Sequence, residues 1–346
     1  MTFGILGSGS WGTAIAKILT DNGQHIHWWN RSEAAIAQFK ARSHNPHYLP
    51  SAKFDMNKIT LTTDPLKVIA SADVVVVAVP SAYIVELFSS LPKDCLINKK
   101  ILSAVKGILP QENLLLNNFL QSTFDFSLEN YFAVLGPCHA EEVAAEKLSY
   151  LTFAGIDEFT TTQISACFKT PYLKTIINKD IIGVQYAAVL KNIYAVGAGI
   201  AHGLDYGDNF LSVLIANSAD EMAGFLRKAG IINAEVGYLE HKNPAIANQS
   251  HHNYAASVYM GDLLVTCYSL YSRNRSFGTM IGKGYSVKAA QLEMNMVAEG
   301  YNASRCMNVI NEKYRAEMPI AETVFNILWN NVSAAEGFQA IEEALI

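Results

Sequence analysis

The sequence has little charge, and the charge it has is slightly acidic. Charged residues make up 16% of the 346 residues, and the formal net charge is −5. No run of Lys and Arg forms a basic arm or patch. Because proteins that bind nucleic acid usually carry such a surface, nucleic acid is not expected as a partner. Positive charge at a functional site must therefore be placed locally.

Cysteine is scarce, and its spacing does not fit the common zinc motifs. The five cysteines include no C-x-x-C pair and lie far apart: Cys95, Cys138, Cys167, Cys267 and Cys306. An odd number of widely spaced cysteines is typical of reduced thiols in a cytoplasmic protein. We therefore expect a cytoplasmic location and no metal site.

No segment has the pattern of a signal peptide or a clear membrane span. The first residues have the pattern of a core strand rather than a leader. The apolar stretch from Ile181 to Leu204 contains polar residues, among them Gln185 and Lys191. A buried helix is expected there, without membrane insertion.

The chain opens on a glycine-rich turn between a strand and a helix. Thr2–Leu6 is apolar, Gly7-Ser8-Gly9-Ser10-Trp11-Gly12 follows at once, and Thr13–Leu19 is apolar at helical spacing. In this context G-x-G-x-x-G predicts a dinucleotide site. Gly7 permits the tight turn, Gly9 lets the backbone approach a pyrophosphate, and Gly12 lets the helix pack closely. The helix N-terminus then faces the anion.

Strand-like and helix-like segments alternate through the first half. The predicted strands are Thr2–Leu6, Gln24–Asn30, Ile59–Thr62, Asp73–Val79, Lys100–Val105, Tyr131–Leu135, Leu148–Ala154 and Leu173–Ile177. From about Asp180 the segments become long and helical. We therefore predict an α/β protein, with a Rossmann-type, doubly wound, mainly parallel sheet domain over residues 1–179 and an all-α domain over residues 180–346.

The end of the second predicted strand bears on the choice of cofactor. It reads Trp29-Asn30-Arg31-Ser32, with an Arg and no acid where NAD sites usually place a carboxylate. An Arg can accept a 2′-phosphate, which favours NADPH. Glu33 lies close by and keeps NADH open, and Arg31 could also be an ordinary surface residue.

Several blocks, taken with the glycine turn, resemble the bacterial type of the NAD(P)-dependent glycerol-3-phosphate dehydrogenase family. They are Ala104–Gly107, Leu135–Pro137, Val189–Asn192, Gly261–Leu263, Ser272–Arg275 and Ala298–Tyr301. The resemblance implies reversible, NAD(P)H-dependent reduction of dihydroxyacetone phosphate to sn-glycerol 3-phosphate, feeding glycerophospholipid synthesis. It also implies a Rossmann domain followed by a helical domain, and no metal.

The resemblance further implies site residues. Besides Gly7, Gly9 and Gly12, the cofactor positions are Ser10, Trp11, Arg31, Lys106, Ala140, Arg273, Val297 and Glu299. The substrate positions are Lys106, Gly136, Cys138, Lys191, Asp262, Ser272, Arg273 and Asn274. Lys191 matches the catalytic lysine, and we group Lys106 and Asp262 with it as catalytic candidates.

The residue types suit a phosphorylated ketone. Lys191 lies in an apolar helical stretch, where desolvation would lower its pKa and suit it to act as the acid in reduction and the base in oxidation. Lys106, at a strand end, could supply a second cation. Asp262 could orient Lys191 or accept from a substrate hydroxyl, and Arg273 offers a guanidinium fork for phosphate.

Each of these residues also has an ordinary structural interpretation. Lys191 could extend from a helix surface, Lys106 could face water, and Asp262 could cap a helix. The block Ser272–Arg275 could be a polar turn between two helices.

The sequence departs from the family pattern at several places. Cys138 stands where a hydroxyl residue is usual, and His139 stands where an aromatic is usual. The segment between Lys191 and Asp262 is longer than usual, with the extra residues around Asn243–Tyr254. These residues have the pattern of a loop, whose role as a lid, an interface element or a neutral insertion stays open.

Two other functions stay open beside the dehydrogenase. One is a related two-domain enzyme that acts on a 2-hydroxy acid or a sugar acid. The other is a non-catalytic NADPH-binding regulator. The sequence does not fix the oligomeric state, although a helical second domain often offers a surface for a homodimer.

Overall fold

The computed structural model describes residues 1–231, 258–294 and 298–345. The loop predicted around residues 243–254 and the cofactor candidate Val297 lie outside the described residues. The chain divides into two compact units, Met1–Ile181 and Ile182–Ile346.

The first unit is built on eight strands. They are β1 Phe3–Leu6, β2 Ile26–Trp29, β3 Ile59–Thr62, β4 Val74–Val77, β5 Lys100–Ser103, β6 Tyr131–Leu135, β7 Ser149–Ala154 and β8 Leu173–Asn178. Its helices are α1 Ser10–Asp21, α2 Glu33–Arg42, α3 Pro65–Ala70, α4 Ile84–Ser89, α5 Leu116–Phe124, α6 Ala140–Ala144 and α7 Glu158–Ala166. Short 3-10 turns occur at Met56–Lys58, Ser81–Tyr83 and Leu128–Asn130.

The strands form one sheet in the order β3-β2-β1-β4-β5-β6-β7-β8. Neighbouring strands run parallel except β6 and β7, which are antiparallel. The predicted mainly parallel, doubly wound sheet is therefore confirmed. The reversal at β7 was not predicted, because the apolar pattern of a strand does not encode its direction. Helix α6, in the connection between β6 and β7, packs against α1.

The centre of this sheet is fully buried. All four valines of β4 have no exposed surface, as expected for a parallel strand covered on both faces. On β2, the Trp28 ring packs against Phe39 and Phe54, with ring centroids 5.4 and 5.8 Å away. Its indole Nε1 donates to the Gly7 carbonyl at 2.9 Å. The core of the unit therefore anchors the start of the glycine turn.

The second unit is helical throughout its described residues. Its helices are α8 Ile181–Gly203, α9 Asp208–Lys228, α10 Met260–Tyr268, α11 Arg273–Gly282, α12 Val287–Glu293, α13 Glu299–Tyr314, α14 Pro319–Trp329 and α15 Ala334–Ala344. By length and composition α8 could cross a membrane, but 89% of its apolar window is buried, which is the pattern of a core helix.

Helix α8 packs so closely against α11 and α13 that backbone atoms of the helices are in contact. A Cβ added at Gly278 of α11 would lie 2.0 Å from the Val196 carbonyl oxygen, and one at Gly300 of α13 would lie 2.4 Å from that of Asn192. Only glycine allows such close approach. These crossings fix both helices against the part of α8 that carries Lys191 and Asn192.

Candidate active site

The glycine turn has the shape that a dinucleotide requires. Gly7 has φ +118°, and a Cβ there would lie 2.5 Å from the Ala78 carbonyl oxygen. A Cβ at Gly12 would lie 2.2 Å from the Gly7 carbonyl oxygen. Both residues are therefore required by the packing of the turn. A Cβ at Gly9 would meet no atom within 4 Å, so the space beside Gly9 is open, as the approach of a pyrophosphate to the backbone requires.

The N-terminus of α1 follows this turn directly. Gly9 is its N-cap residue and, among the described residues, no side chain caps the helix. Ser10 and Trp11 are its first two residues, Ser10 buried and Trp11 half-buried. Helix N-termini attract anions through their N–H groups and dipole. The N-terminus of α1 is therefore suited to bind a phosphate.

Three predicted residues from different elements, Trp11, Lys106 and Cys138, come together at this turn. The Lys106 ammonium lies 4.5 Å from the centre of the Trp11 ring, in a cation–π contact. It also donates to the Cys138 carbonyl oxygen at 3.4 Å. Lys106 follows β5 and Cys138 follows β6, so both lie where open α/β sheets bind ligands. The fold thus brings a cation next to the start of α1.

The other predicted residues after β6 adjoin this cluster in sequence. Gly136 has φ +137°, a backbone conformation that favours glycine. Cys138 is buried, and the half-buried His139 is the N-cap residue of the short helix α6. Ala140 is the buried first residue of that helix.

Arg31 is exposed just beyond the end of β2. The next residue, Ser32, caps α2 by accepting a hydrogen bond from the Ala35 amide. The Glu33 carboxylate accepts from the Thr63 hydroxyl at 2.7 Å. An exposed guanidinium thus stands just beyond β2, where Rossmann-type NAD sites usually place an acid, while the carboxylate of Glu33 is engaged by Thr63.

The second unit contains a buried ion pair. Lys191 is 3% exposed, and its Nζ lies 2.5 Å from Asp262 Oδ1 and 3.0 Å from Thr266 Oγ1. Asp262 and Thr266 are four residues apart on α10 and thus share one face. Lys191 therefore does not extend into water. Asp262 does not cap α10 either, since the N-cap residue is Tyr259.

One carboxylate oxygen of this pair lacks a hydrogen-bond partner among the described residues. Asp262 Oδ2 is buried and accepts no hydrogen bond from the part of the chain that the structure describes. Buried carboxylate oxygens without a partner are rare because desolvation is costly. This oxygen is suited to accept a proton donor from a bound ligand.

The block Ser272–Arg275 is the start of α11 rather than a free turn. Ser272 is buried and its hydroxyl accepts from the Arg275 amide, capping the helix. Arg273 is the first helical residue and is half-buried. Asn274 donates to Asn192 Oδ1 at 2.9 Å and accepts from the Gly300 amide at 2.9 Å. Asn274 therefore links three helices.

Sequence reasoning missed two residues of this second cluster. Thr266 was not singled out, although its spacing of four residues from Asp262 on one helix could have indicated it. Asn192 was part of a family block but was not assigned a site role. The predicted Glu299 is half-buried at the first position of α13, next to Gly300.

Family models account for most of the chain. The model described as NAD-dependent glycerol-3-phosphate dehydrogenase N-terminus matches residues 2–160, and the corresponding C-terminus model matches residues 180–339. The chain belongs to this family. The resemblance drawn from the sequence blocks is therefore confirmed.

Individual members of the glycerol-3-phosphate dehydrogenase family match over nearly the whole length. A glycerol-3-phosphate dehydrogenase [NAD(P)+] of Bacillus subtilis is 34% identical over 94% of this chain and 89% of its own length. One from Enterococcus faecalis is 29% identical over 97% of this chain and 94% of its own. The crystal structure of the Coxiella burnetii enzyme superimposes with a TM-score of 0.85 at 25% identity, covering 99% and 98% of the two chains.

The described residues do not bring metal-ligating side chains together. Within residues 1–231, 258–294 and 298–345, no three His, Cys, Asp or Glu side chains form a group that could hold a metal ion. The five cysteines, all of them described, form no disulfide bond with one another.

Proposed function

We propose that this chain catalyses the reversible, NAD(P)H-dependent reduction of dihydroxyacetone phosphate to sn-glycerol 3-phosphate, the backbone of glycerophospholipids. The observation that carries the proposal is the buried Lys191–Asp262 pair, with Thr266 as a second partner of the ammonium. A buried cation held on two sides is preorganised to meet negative charge that develops on a carbonyl oxygen.

Lys191 is the proposed proton donor in reduction and acceptor in oxidation. Burial disfavours its charged form, whereas the adjacent Asp262 carboxylate stabilises the ammonium. This balance suits a group that must be charged before the reaction and give up a proton during it. Asp262 orients Lys191 through Oδ1, which leaves Oδ2 to accept from a substrate hydroxyl.

The proposed anion-binding residues are local cations and short donors. Ser272, Arg273 and Asn274 would hold the substrate phosphate, since a guanidinium can bind it in bidentate fashion. Lys106 would supply a second positive charge, with Gly136 and Cys138 beside the substrate. The thiol of Cys138 is a weaker hydrogen-bond partner than the usual hydroxyl.

The residues present fit a dinucleotide, as the open space at Gly9 indicates. When bound, a reduced nicotinamide supplies the hydride. The proposed cofactor-binding residues are Gly7, Gly9, Ser10, Trp11, Gly12, Arg31, Lys106, Ala140, Arg273, Val297 and Glu299. Arg31 favours a 2′-phosphate and thus NADPH over NADH.

The domain division, the cellular location and the oligomeric state belong to the same proposal. The dinucleotide-binding domain is residues 1–179 and the substrate domain is residues 180–346. The enzyme is cytoplasmic, in keeping with five cysteines that form no disulfide bond with one another. A homodimer would have to be tested by light scattering of the purified protein.

The decisive experiment is an assay of NADPH oxidation with dihydroxyacetone phosphate, followed at the absorption band of the reduced nicotinamide. Unphosphorylated dihydroxyacetone and NADH serve as comparison substrates. Fast turnover that requires the phosphate supports the proposal. A folded, NADPH-binding protein without such turnover contradicts it, and activity on 2-hydroxy or sugar acids would then identify the related dehydrogenase. Binding without turnover on any ketone would indicate a regulator.

A further inference from the structure

A buried asparagine outside the glycine motif forms hydrogen bonds with residues of the glycine turn and of α1. Asn45 lies in the segment after α2 and is 1% exposed. Its Nδ2 donates to the Ser8 carbonyl at 3.0 Å and to the Thr13 hydroxyl at 2.8 Å. Its Oδ1 accepts from the backbone amides of His47 and Tyr48, at 3.0 and 3.2 Å. These four bonds use every hydrogen-bonding position that such an amide commonly offers.

The Thr13 hydroxyl links Asn45 to Gly9 through two hydrogen bonds. It accepts from Asn45 and donates to the Gly9 carbonyl at 2.8 Å, which also accepts from the Thr13 amide at 2.9 Å. The carbonyl oxygens of Ser8 and Gly9 thus both accept hydrogen bonds, from Asn45 and Thr13 respectively. The two peptide planes on either side of Gly9 have fixed orientations.

The orientation of these planes determines where two N–H groups point. In a planar trans peptide the C=O and the following N–H point in opposite directions. The Ser8 and Gly9 carbonyls point towards Asn45 and Thr13, which donate hydrogen bonds to them. The N–H groups of Gly9 and Ser10 are therefore directed away from Asn45 and Thr13. A Cβ on Gly9 would enter open space, the space that suits the pyrophosphate.

We propose that Asn45 is a positioning residue of the cofactor site, which sets the direction of the Gly9 and Ser10 N–H groups through the Ser8 carbonyl and Thr13. The inference rests on the proposed function, because it takes a dinucleotide phosphate as the ligand. Asn45 itself does not touch the cofactor, and its effect is on the binding of NADPH rather than on proton transfer.

The test uses Asn45→Asp, Asn45→Ala and Thr13→Val in the full chain. Asp keeps the shape of Asn and the two acceptor contacts, but as a carboxylate it cannot donate to Ser8. We expect the NADPH Kd to rise about tenfold or more for each variant. The KM for dihydroxyacetone phosphate should stay within about twofold at saturating NADPH. Thr13→Ser, which retains the hydroxyl, should restore binding.

The pH dependence separates positioning from mere packing. A protonated Asp at position 45 regains a donor for the Ser8 carbonyl, so its NADPH Kd should approach the wild-type value as pH falls from roughly 8 to roughly 6. Asn45→Ala has no group to protonate. Its NADPH Kd relative to wild type should not change over the same range.

Asn22→Asp is the matched control at the other end of α1. The Asn22 amide donates to the Lys169 carbonyl at 2.6 Å, so its loss should lower stability without changing the NADPH Kd. A folded Asn45→Asp protein with wild-type NADPH affinity would overturn the inference, as would an equal loss of affinity in Asn22→Asp. If Asn45→Ala fails to fold, Asn45→Asp and Thr13→Val decide. A wild-type protein without NADPH binding or turnover would instead contradict the proposed function.

Discussion

At the scale of single residues, Lys191 depends on two side chains one turn apart on α10. Asp262 compensates its charge and Thr266 accepts a second hydrogen bond. A buried ion pair adds little net stability, but removal of one partner leaves an uncompensated charge. The pair is therefore better explained by its chemistry than by the fold.

Replacement of Lys191 by Met should lower kcat by about a hundredfold or more, because the proton donor is lost. It should also destabilise the protein by about 3–5 kcal/mol, since Asp262 is left buried and unpaired. NADPH binding should change little. Steady-state kinetics, NADPH fluorescence titration and urea unfolding measure the three effects.

The control is the double variant Lys191→Met with Asp262→Leu, which should recover much of the stability and none of the activity. Lys228→Met, at an exposed lysine of α9, should leave kcat unchanged. Near-normal turnover of Lys191→Met would end the assignment of Lys191 as the acid.

The residues that sequence could indicate were those in local patterns. Lys191 and Asp262 lie in recognisable blocks, and Gly7 and Gly12 in a motif with a steric reason. Thr266 needed only the helical spacing from Asp262. Asn45 lay outside any such pattern, because its contacts with Ser8 and Thr13 join segments more than 30 residues apart, which the fold alone brings together.

At the scale of elements, the position of α11 depends on its glycine contact with α8. Gly278→Ala would put a Cβ 2.0 Å from the Val196 carbonyl oxygen, so the helices must separate. We expect a loss of about 1–3 kcal/mol in the free energy of unfolding. The KM for dihydroxyacetone phosphate should rise because the Asn274–Asn192 bond is stretched. Urea unfolding and substrate titration test both.

The matched control is Gly224→Ala in α9, where the nearest atom to the new Cβ is an Arg227 guanidinium nitrogen at 4.0 Å. This variant should be more stable than wild type by about 0.5–1 kcal/mol, because Ala is the better helix former. Equal stability of the two Ala variants would show that the α8–α11 crossing is not tight.

A second element, α14, is capped by a side chain from another helix. Glu221 of α9 is buried and accepts from the amides of Ile320 and Ala321, at 2.8 and 3.0 Å. Burial raises the pKa of Glu221 from 4.5 to about 7, and the Glu322 carboxylate adds to this shift. The two N–H donors oppose it only in part.

Glu221 should therefore make stability depend on pH. A carboxyl whose pKa is higher in the folded state binds more protons there, so its contribution is complete below pH 4.5 and is lost as the pH rises through about 7. The difference should be on the order of 3 kcal/mol. Unfolding free energies across this range should show a smaller decline for Glu221→Gln than for wild type. Identical pH profiles would contradict the assignment.

The periodicity of the sequence predicts most helices and strands. It predicts the end residues and the directions of the strands less well. The run Asp73–Val79 predicted a buried strand, but β4 is shorter, Val74–Val77. Hydrophobic pattern gives the buried positions of a strand. It cannot show that β7 and β8 run antiparallel to β6, because a strand buried on both faces has the same pattern in either direction.

At the scale of the whole molecule, the net charge of −5 opposes the binding of anionic ligands. Both proposed ligands carry phosphate, so affinity must come from single cations in favourable surroundings. Lys106 is placed by the Trp11 ring and the Cys138 carbonyl, and Arg31 by the end of β2. In the proposed function, discrimination between the two nicotinamide cofactors then depends on the exposed Arg31 guanidinium.

Arg31→Ala should remove the preference for NADPH, and thermal unfolding of the whole protein can measure this. A ligand that binds the folded state stabilises it by an amount that grows with its affinity, so at equal, saturating concentrations a tenfold tighter cofactor adds about 1.4 kcal/mol. We expect NADPH to raise the Tm of the wild type more than NADH does, and the two to act equally on Arg31→Ala. Arg42→Ala, at the exposed far end of α2, should keep the wild-type difference. If Arg31→Ala keeps it as well, the 2′-phosphate is bound by another residue, and the absence of an acid at this strand end would not by itself specify NADPH.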